Sequence, residues 1–430
     1  MLATGRPRRT TLIMAALVAA TTTLTACNSS GSGSASGKVL TLWHYEAADS
    51  AMGLAWSQAV KDFEAAHPGV TVKVETKTFE QLQKTAAMVL NSSNAPDILE
   101  YNKGDATAGL LSKQGLLTDL TPEVTQYGWD KKLSSNVAVT SRYSNGVMGS
   151  GDWYGIPNYA EYAMVYYNVD LFNKYHVPVP KTFADFTAAM DTFVRNGITP
   201  LADAGAEYPA QQYLYDLALS KADPAWVTDY QIKGKADFHD AAWSYAATTL
   251  ADWVRKGYIA KNSVSLKATD MGNAFESGKS PMMVSGSWWY GTFESEIKNF
   301  AWGTFLWPGS SLVPGSGGNL WVVPSKSGNK QLAYDFINIT LQKDVQDVIA
   351  NKGAVPVAAN PADVTDPKAK ELIQNYDTLA ASGGLAYYPD WPVPGFYDTL
   401  TAATQDLING KDPNSVLGSL QTAYQQGLNQ

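Results

Sequence analysis

Residues 39–99 read strand, helix, strand, helix, strand, and that order leaves few ways to fold. Residues 39–43 (VLTLW) form a short apolar run, the mark of a buried strand. Trp56, Val60 and Phe63 recur at helical spacing over 51–66, and His67-Pro68-Gly69 stops that helix. Val70, Val72 and Val74 then alternate with Thr71, Lys73 and Glu75, the period of a strand. Residues 81–90 are helical again, and 95–99 (APDIL) open a third strand. Alternation of this kind predicts an α/β fold with a parallel sheet and right-handed crossovers. Ligands on such sheets bind beyond the carboxyl ends of the strands. That rule singles out Trp43-His44-Tyr45-Glu46 and Glu100-Tyr101-Asn102, which are polar and aromatic where a bare turn would favour Gly, Asn or Asp.

The N-terminus limits where such a fold works. Arg6, Arg8 and Arg9 precede a short apolar stretch, 11–20, and Leu24-Thr25-Ala26-Cys27 follows. This is the layout of an export signal, with residues 1–26 as signal peptide. The four-residue ending resembles a bacterial lipoprotein box, so Cys27 is expected to carry lipid and to hold the protein on the cell membrane. Arg8-Arg9 leaves both the general secretory route and the twin-arginine route open. Residues 28–37 (NSSGSGSASG) cannot bury apolar surface and read, with Cys27, as a flexible tether over 27–37.

About 390 residues remain, enough for two lobes or one large α/β unit. Cys27 is the only cysteine, so no disulfide braces the fold. The formal charge of −8 falls to −11 once Arg6, Arg8 and Arg9 leave, which disfavours nucleic acid and anionic lipid as partners. His44, His67, His176 and His239 lie far apart without ligand spacing, so no metal and no cofactor is expected. Trp and Tyr are abundant, 13 and 23 against 13 Phe. Both pair an apolar face with a polar edge, as sugars do, so the excess points weakly to carbohydrate.

Further along, Thr182 is placed to cap a helix bearing Phe186, Met190 and Phe193. A second helix over 240–256 puts Trp243, Ala247, Leu250 and Val254 on one face, with Trp243 in the core. Residues 275–279 read as a turn before a strand at 281–284. Trp288, Trp289 and Tyr290 follow; three adjacent aromatics cannot all face inward, so at least one is expected in a cleft. Residues 302–308 read as extended, 314–319 as a loop and 320–324 as a strand. Helices follow at 330–341 and 344–351, then an aromatic loop at 387–392 and a final helix pair.

Several segments in order carry a family likeness: EAAHPGV at 64–70, APDI at 95–98, LLSKQGLLTDL at 110–120 and WYGIP at 153–157. YNVDLF at 167–172, the 275–279 turn before Met282-Met283, Gly286-Ser287-Trp288, and Gly317-Gly318 with Trp321-Val322-Val323-Pro324 complete it. The chain resembles family 1 extracellular solute-binding proteins, the sugar-capturing subunits of ABC importers, from residue 38 to the C-terminus. The resemblance implies two α/β lobes that close on ligand, residues 38–153 with 309–342 and residues 159–307 with 343–430. The implied crossovers lie near 155–159, 307–309 and 341–344. It implies a protein that binds a mono- or oligosaccharide without chemistry and passes it to separate transmembrane permease subunits; the many aromatics favour a di- or oligosaccharide, and a monomer is expected. Implied ligand contacts are Glu161, Trp288, Tyr101, Asn102 and Glu207 with Tyr208. Trp391 and Tyr397 belong to a C-terminal region that gives a stacking aromatic. Tyr159, Trp289, Gly318, Asn319 and Trp321 adjoin these segments and join the candidate site, with His44, Tyr45, Glu46 and Glu100. His44-Tyr45-Glu46 stands where maltodextrin-type members carry an acidic and basic pair, so a maltodextrin ligand is not implied. Three readings compete: the same fold holding a cationic or peptide solute, a secreted glycoside hydrolase built on Glu46, Glu100 and Glu161, and a surface interaction lipoprotein with no small ligand.

Overall fold

The computed structural model describes residues 38–359 and 361–429. The export signal, Cys27 and the tether lie outside them. Strand Lys38–His44 buries Leu40, Leu42 and His44 on one side. It pairs in parallel with Val70–Thr76 and with Ile98–Tyr101. Helix Ala51–Ala66 bridges the first pair; the Ser50 side chain accepts from the Gly53 N–H at 3.0 Å, and Trp56, Ala59 and Phe63 face the sheet. The next helix runs Phe79–Leu90, two residues earlier than its periodicity suggests, because Thr78 caps it. That early start puts Phe79 at the helix entrance.

Late segments complete this sheet. Leu320–Val322 joins antiparallel to Ile98–Tyr101, and Ile156–Pro157 lies beyond it. Trp321, a candidate ligand contact by sequence, is instead fully buried under the sheet. Its ring meets Trp56 at 4.9 Å and Phe336 at 5.9 Å, edge to face. Trp321→Phe is therefore expected to lower stability by about 1–2 kcal/mol and to leave ligand affinity of the folded protein unchanged. Urea unfolding beside a binding titration checks both.

A second sheet has the order Trp302–Phe305, Ala160–Asn168, Met282–Gly286, Leu201–Ala202. The long strand Ala160–Asn168 is antiparallel to both neighbours. Gly315–Gly317, read from sequence as loop, is a short strand on the start of that same long strand. Its glycines permit the approach: a Cβ at Gly315 would fall 2.9 Å from the Glu161 carbonyl oxygen. The chain passes from the first sheet to the second through Asn158 and Tyr159 and returns through Gly318 and Asn319. The two crossings touch, with the Gly318 N–H donating to the Tyr159 carbonyl at 2.6 Å.

Helices Ala210–Leu219, Ala241–Arg255, Phe396–Ile408 and Pro413–Leu428 pack together beside the second sheet. Trp243 is in that core, stacked on Phe238 at 4.8 Å. Phe275 and Glu276 end helix Ala268–Glu276 rather than forming a turn. Helix Pro367–Ser382 has no counterpart in the periodicity reading, although its Asp366-Pro367 start and Gly383 stop are ordinary signals. Helix Lys343–Asn351 packs on Ala51–Ala66, on the first sheet's side. Among the described residues, no helix is long and apolar enough to cross a membrane.

Candidate functional site

A cavity of about 310 Å³ opens where the carboxyl ends of the first sheet's parallel strands face the second sheet. Tyr45 and Glu46 enter it just past Lys38–His44, and Asn102 and Lys103 just past Ile98–Tyr101. Tyr159 and Asn319 come from the two crossings, and Glu161 from the long strand. Trp288 and Trp289 follow strand Met282–Gly286. Gly286 makes room for this turn, since a Cβ there would lie 1.8 Å from the Trp288 ring. Trp391 and Tyr397 arrive from the C-terminal loop and the helix after it.

The polar floor is one connected network. The Lys103 ammonium pairs with Glu161 Oε1, and both side chains are nearly inaccessible, at 2% and 5% exposure. The Tyr159 hydroxyl donates to Glu161 Oε2 at 3.0 Å. Asn319 Nδ2 donates to the Tyr159 hydroxyl oxygen at 3.0 Å and reaches Glu46 Oε1 at 3.4 Å. Lys103 also sits over the Trp391 ring at 5.2 Å and the Tyr388 ring at 5.6 Å. Burial, reinforced by the Glu161 charge, pushes the Glu46 carboxyl up to about 8. Burial likewise pushes Asp390 up to about 6.

Among the described residues, buried polar atoms on the cavity wall that lack a hydrogen-bond partner include the Tyr45 and Tyr388 hydroxyls, Trp289 Nε1 and Gln212 Oε1. Buried polar groups are normally paired. Here donors and acceptors converge on one cavity whose other walls are aromatic rings.

Six residues proposed from sequence lie outside the cavity wall. His44 is turned in, its Nδ1 accepting from the Glu46 N–H at 3.2 Å, and burial lowers it to about 4. It shapes the loop as a neutral ring. Glu100 and Tyr101 belong to the strand itself. Asn158 Nδ2 donates to Glu100 at 2.7 Å, and Tyr101 packs in an apolar cluster with Leu99 and Leu320. Glu207 accepts from the Ala268 N–H at 3.0 Å and pairs with Lys267 beside the cavity. Gly318 and Trp321 serve the crossing and the core. Conversely, Lys103, Phe79, Gln212, Tyr388 and Asp390 line the cavity without having been singled out. Lys103 directly follows Asn102, so the strand-end rule reaches it if carried one residue further.

The match that decides the family covers residues 47–347, most of the chain, with the model for bacterial extracellular solute-binding proteins. The chain belongs to that family. As a solute-binding protein it binds rather than transforms its solute and works outside the cytoplasm. It is similar to a maltooligosaccharide ABC transporter solute-binding lipoprotein of Streptococcus pneumoniae, 23% identical over 320 residues, 70% of this chain and 69% of that one. It is also similar to a multiple sugar-binding protein of Streptococcus mutans, 22% identical over 73% of this chain and 74% of that one. Among solved structures, a chitin oligosaccharide binding protein superposes with a TM-score of 0.78 at 23% identity, covering 91% of this chain and 99% of that one. A solute-binding protein in complex with raffinose gives 0.71 at 20% identity, covering 90% and 98%. These likenesses make the two-lobe, flytrap-like architecture of the solute-binding protein plain.

Proposed function

We propose that this solute-binding protein captures a carbohydrate between its lobes and hands it to the permease of an ABC importer. The observation that carries the reading is the cavity's two-sided chemistry. Aromatic rings offer flat apolar faces, and unpartnered donors and acceptors sit between them. A sugar ring presents the matching pair, C–H faces and hydroxyl edges, and charge-assisted bonds to Glu161 and Lys103 add strength. The sugar-binding relatives support the same class. At about 310 Å³ the cavity is at the small end of ligand sites, which suits one or two sugar units inside it. The lobes expected from sequence, residues 38–153 with 309–342 and residues 159–307 with 343–430, differ from the two sheets at two joints: Gly315–Gly317 pairs with Ala160–Asn168, and helix Lys343–Asn351 packs on Ala51–Ala66. Cys27, after cleavage of a signal peptide, anchors the monomer by lipid.

Tryptophan fluorescence and melting temperature of residues 38–430 against mono-, di- and trisaccharides test this. A saturable, stabilising response to one linkage class supports it; silence at millimolar sugar overturns it. Trp288 lines the cavity and meets Tyr208 edge to face at 5.7 Å. Trp288→Ala is expected to weaken binding about 30-fold, about 2 kcal/mol, as loss of a central aromatic contact does. Titration of the folded variant checks it. A cationic solute is the second reading, because Glu46 and Asp390 line the cavity and neither forms an ion pair among the described residues. A parallel titration with amines separates the two.

A further inference from the structure

One stretch of the cavity wall is a row of four aromatic rings. Tyr45 follows strand Lys38–His44 and Phe79 opens helix Phe79–Leu90, beside the first sheet. Tyr208 precedes helix Ala210–Leu219 and Trp288 follows strand Met282–Gly286, beside the second. Each ring meets the next nearly at a right angle. Tyr45 and Phe79 are 5.4 Å apart at 83°, Phe79 and Tyr208 6.2 Å at 80°, and Tyr208 and Trp288 5.7 Å at 81°. All four residues are half-buried. The row stands beside the solvent-exposed part of the wall. Ala47 lies two positions after Tyr45, and Thr269 adjoins Ala268, whose N–H donates to Glu207 at 3.0 Å.

A sugar ring stacks on one flat face. Rings set at right angles instead make the walls of a box, which suits a compact cation drawn to their faces. Lys103 behaves in this way deeper in the cavity, over the Trp391 and Tyr388 rings. The charge around the row is negative. Burial first, and then the charges of Glu80, Glu207 and Glu46, push the Tyr208 hydroxyl above its ordinary value. Burial, then Glu100, Glu46 and Glu161, do the same to the Tyr45 hydroxyl, which has no hydrogen-bond partner among the described residues. The nearby lysines are already committed: Lys267 to Glu207 at 3.4 Å, Lys84 to Asp398 at 3.6 Å and Lys103 to Glu161. Glu46 and Glu80 form no ion pair among the described residues.

We infer that Tyr45, Phe79, Tyr208 and Trp288 form a subsite for an ammonium group, and that the carbohydrate taken up carries a protonated amine. Glu46, on the polar floor, is its counter-ion, and Glu80 and Glu207 favour the approach of positive charge from the exposed side. The inference rests on the carbohydrate reading above and narrows it to amino sugars, in which the apolar ring face, the hydroxyl edge and the cation belong to one ligand.

The test uses residues 38–430, tryptophan fluorescence and neutral pH. Its probes are matched pairs: glucose with glucosamine, galactose with galactosamine, and cellobiose with the glucosamine disaccharide of the same linkage. Within a pair, one hydroxyl on each ring gives way to an ammonium. In at least one pair the amine is expected to bind about tenfold tighter than its neutral partner. Glu46→Gln and Phe79→Ala should each bring that ratio below about threefold, and a general loss of stability would not move a ratio between two ligands. A neutral partner that binds as well as its amine or better in every pair overturns the inference alone. So does a ratio that survives either variant. Silence from all the pairs also overturns it, and if the mono-, di- and trisaccharides of the wider panel are silent too, the carbohydrate reading falls with it.

Discussion

Glu161→Ala is expected to cost about 3–5 kcal/mol of stability in urea unfolding, far more than an ordinary surface pair. The reason is the partner left behind. Lys103 is 2% exposed, and its ammonium pairs with Glu161 and lies 3.4 Å from Asn319 Oδ1. Without the carboxylate, a buried positive charge keeps one long amide contact, two ring faces and the more distant Glu46 and Asp390 carboxyls, both raised by burial. Desolvation then goes uncompensated. The pair itself is a weak stabiliser, because bringing both ions out of water offsets most of their attraction. Lys103→Met combined with Glu161→Ala should therefore recover much of the loss. A double-mutant cycle on unfolding free energies checks this; a double variant as unstable as the sum of the singles would refute it. Both variants should lose carbohydrate binding, since each lacks part of the charged floor.

The second large effect is pH dependence centred on Glu46. Its carboxyl is held at about 8 in the fold against 4.5 for a free glutamate, chiefly by burial and next by the Glu161 charge. Lys103 and the Asn319 amide oppose the shift, and the Tyr45 and Glu100 side chains share the same pocket of charge. Glu100 is raised for the same leading cause, and the Glu46 charge adds to it. A carboxyl raised in the fold stays protonated there while the unfolded chain has already released its proton. The folded form thus binds more protons between pH 4.5 and 8, and stability falls as pH rises through that window. At about 1.4 kcal/mol per pKa unit, the Glu46 contribution approaches about 4–5 kcal/mol across it. Glu46→Gln keeps the shape without the titration. It should flatten the slope and make the variant more stable than wild type at pH 8, with little difference at pH 5. Unfolding curves at the two pH values decide the matter; equal slopes in both proteins would sink the assignment.

Much of this architecture is legible in residues 39–99. The alternation of strand and helix there is set by local periodicity, and the strands pair in parallel as that order requires. The same segment points to the site, because loops after parallel strands converge on one edge of a sheet. Tyr45, Glu46 and Asn102 are found there. Where the reading stopped short, the missing information was non-local. Trp321 and Trp288 look alike in sequence, each an aromatic beside a glycine-bearing strand end. One lies under a sheet against Trp56 and the other lines the cavity. Glu100 and Glu161 are both buried acids in strands. One accepts from Asn158 in the sheet interior, the other meets Lys103 across the crossing.

By itself, the sequence determined the α/β class, the parallel core and the sheet edge where the cavity opens, because each follows from spacing within a few tens of residues. Tertiary structure alone decided which aromatics face the cavity, that Lys103 neutralises Glu161, and that Phe79 meets Tyr208 and Tyr397. Those pairs are separated by 58, 129 and 318 positions. Contacts at that range depend on how two lobes built from interleaved segments close on each other, and no local periodicity encodes that.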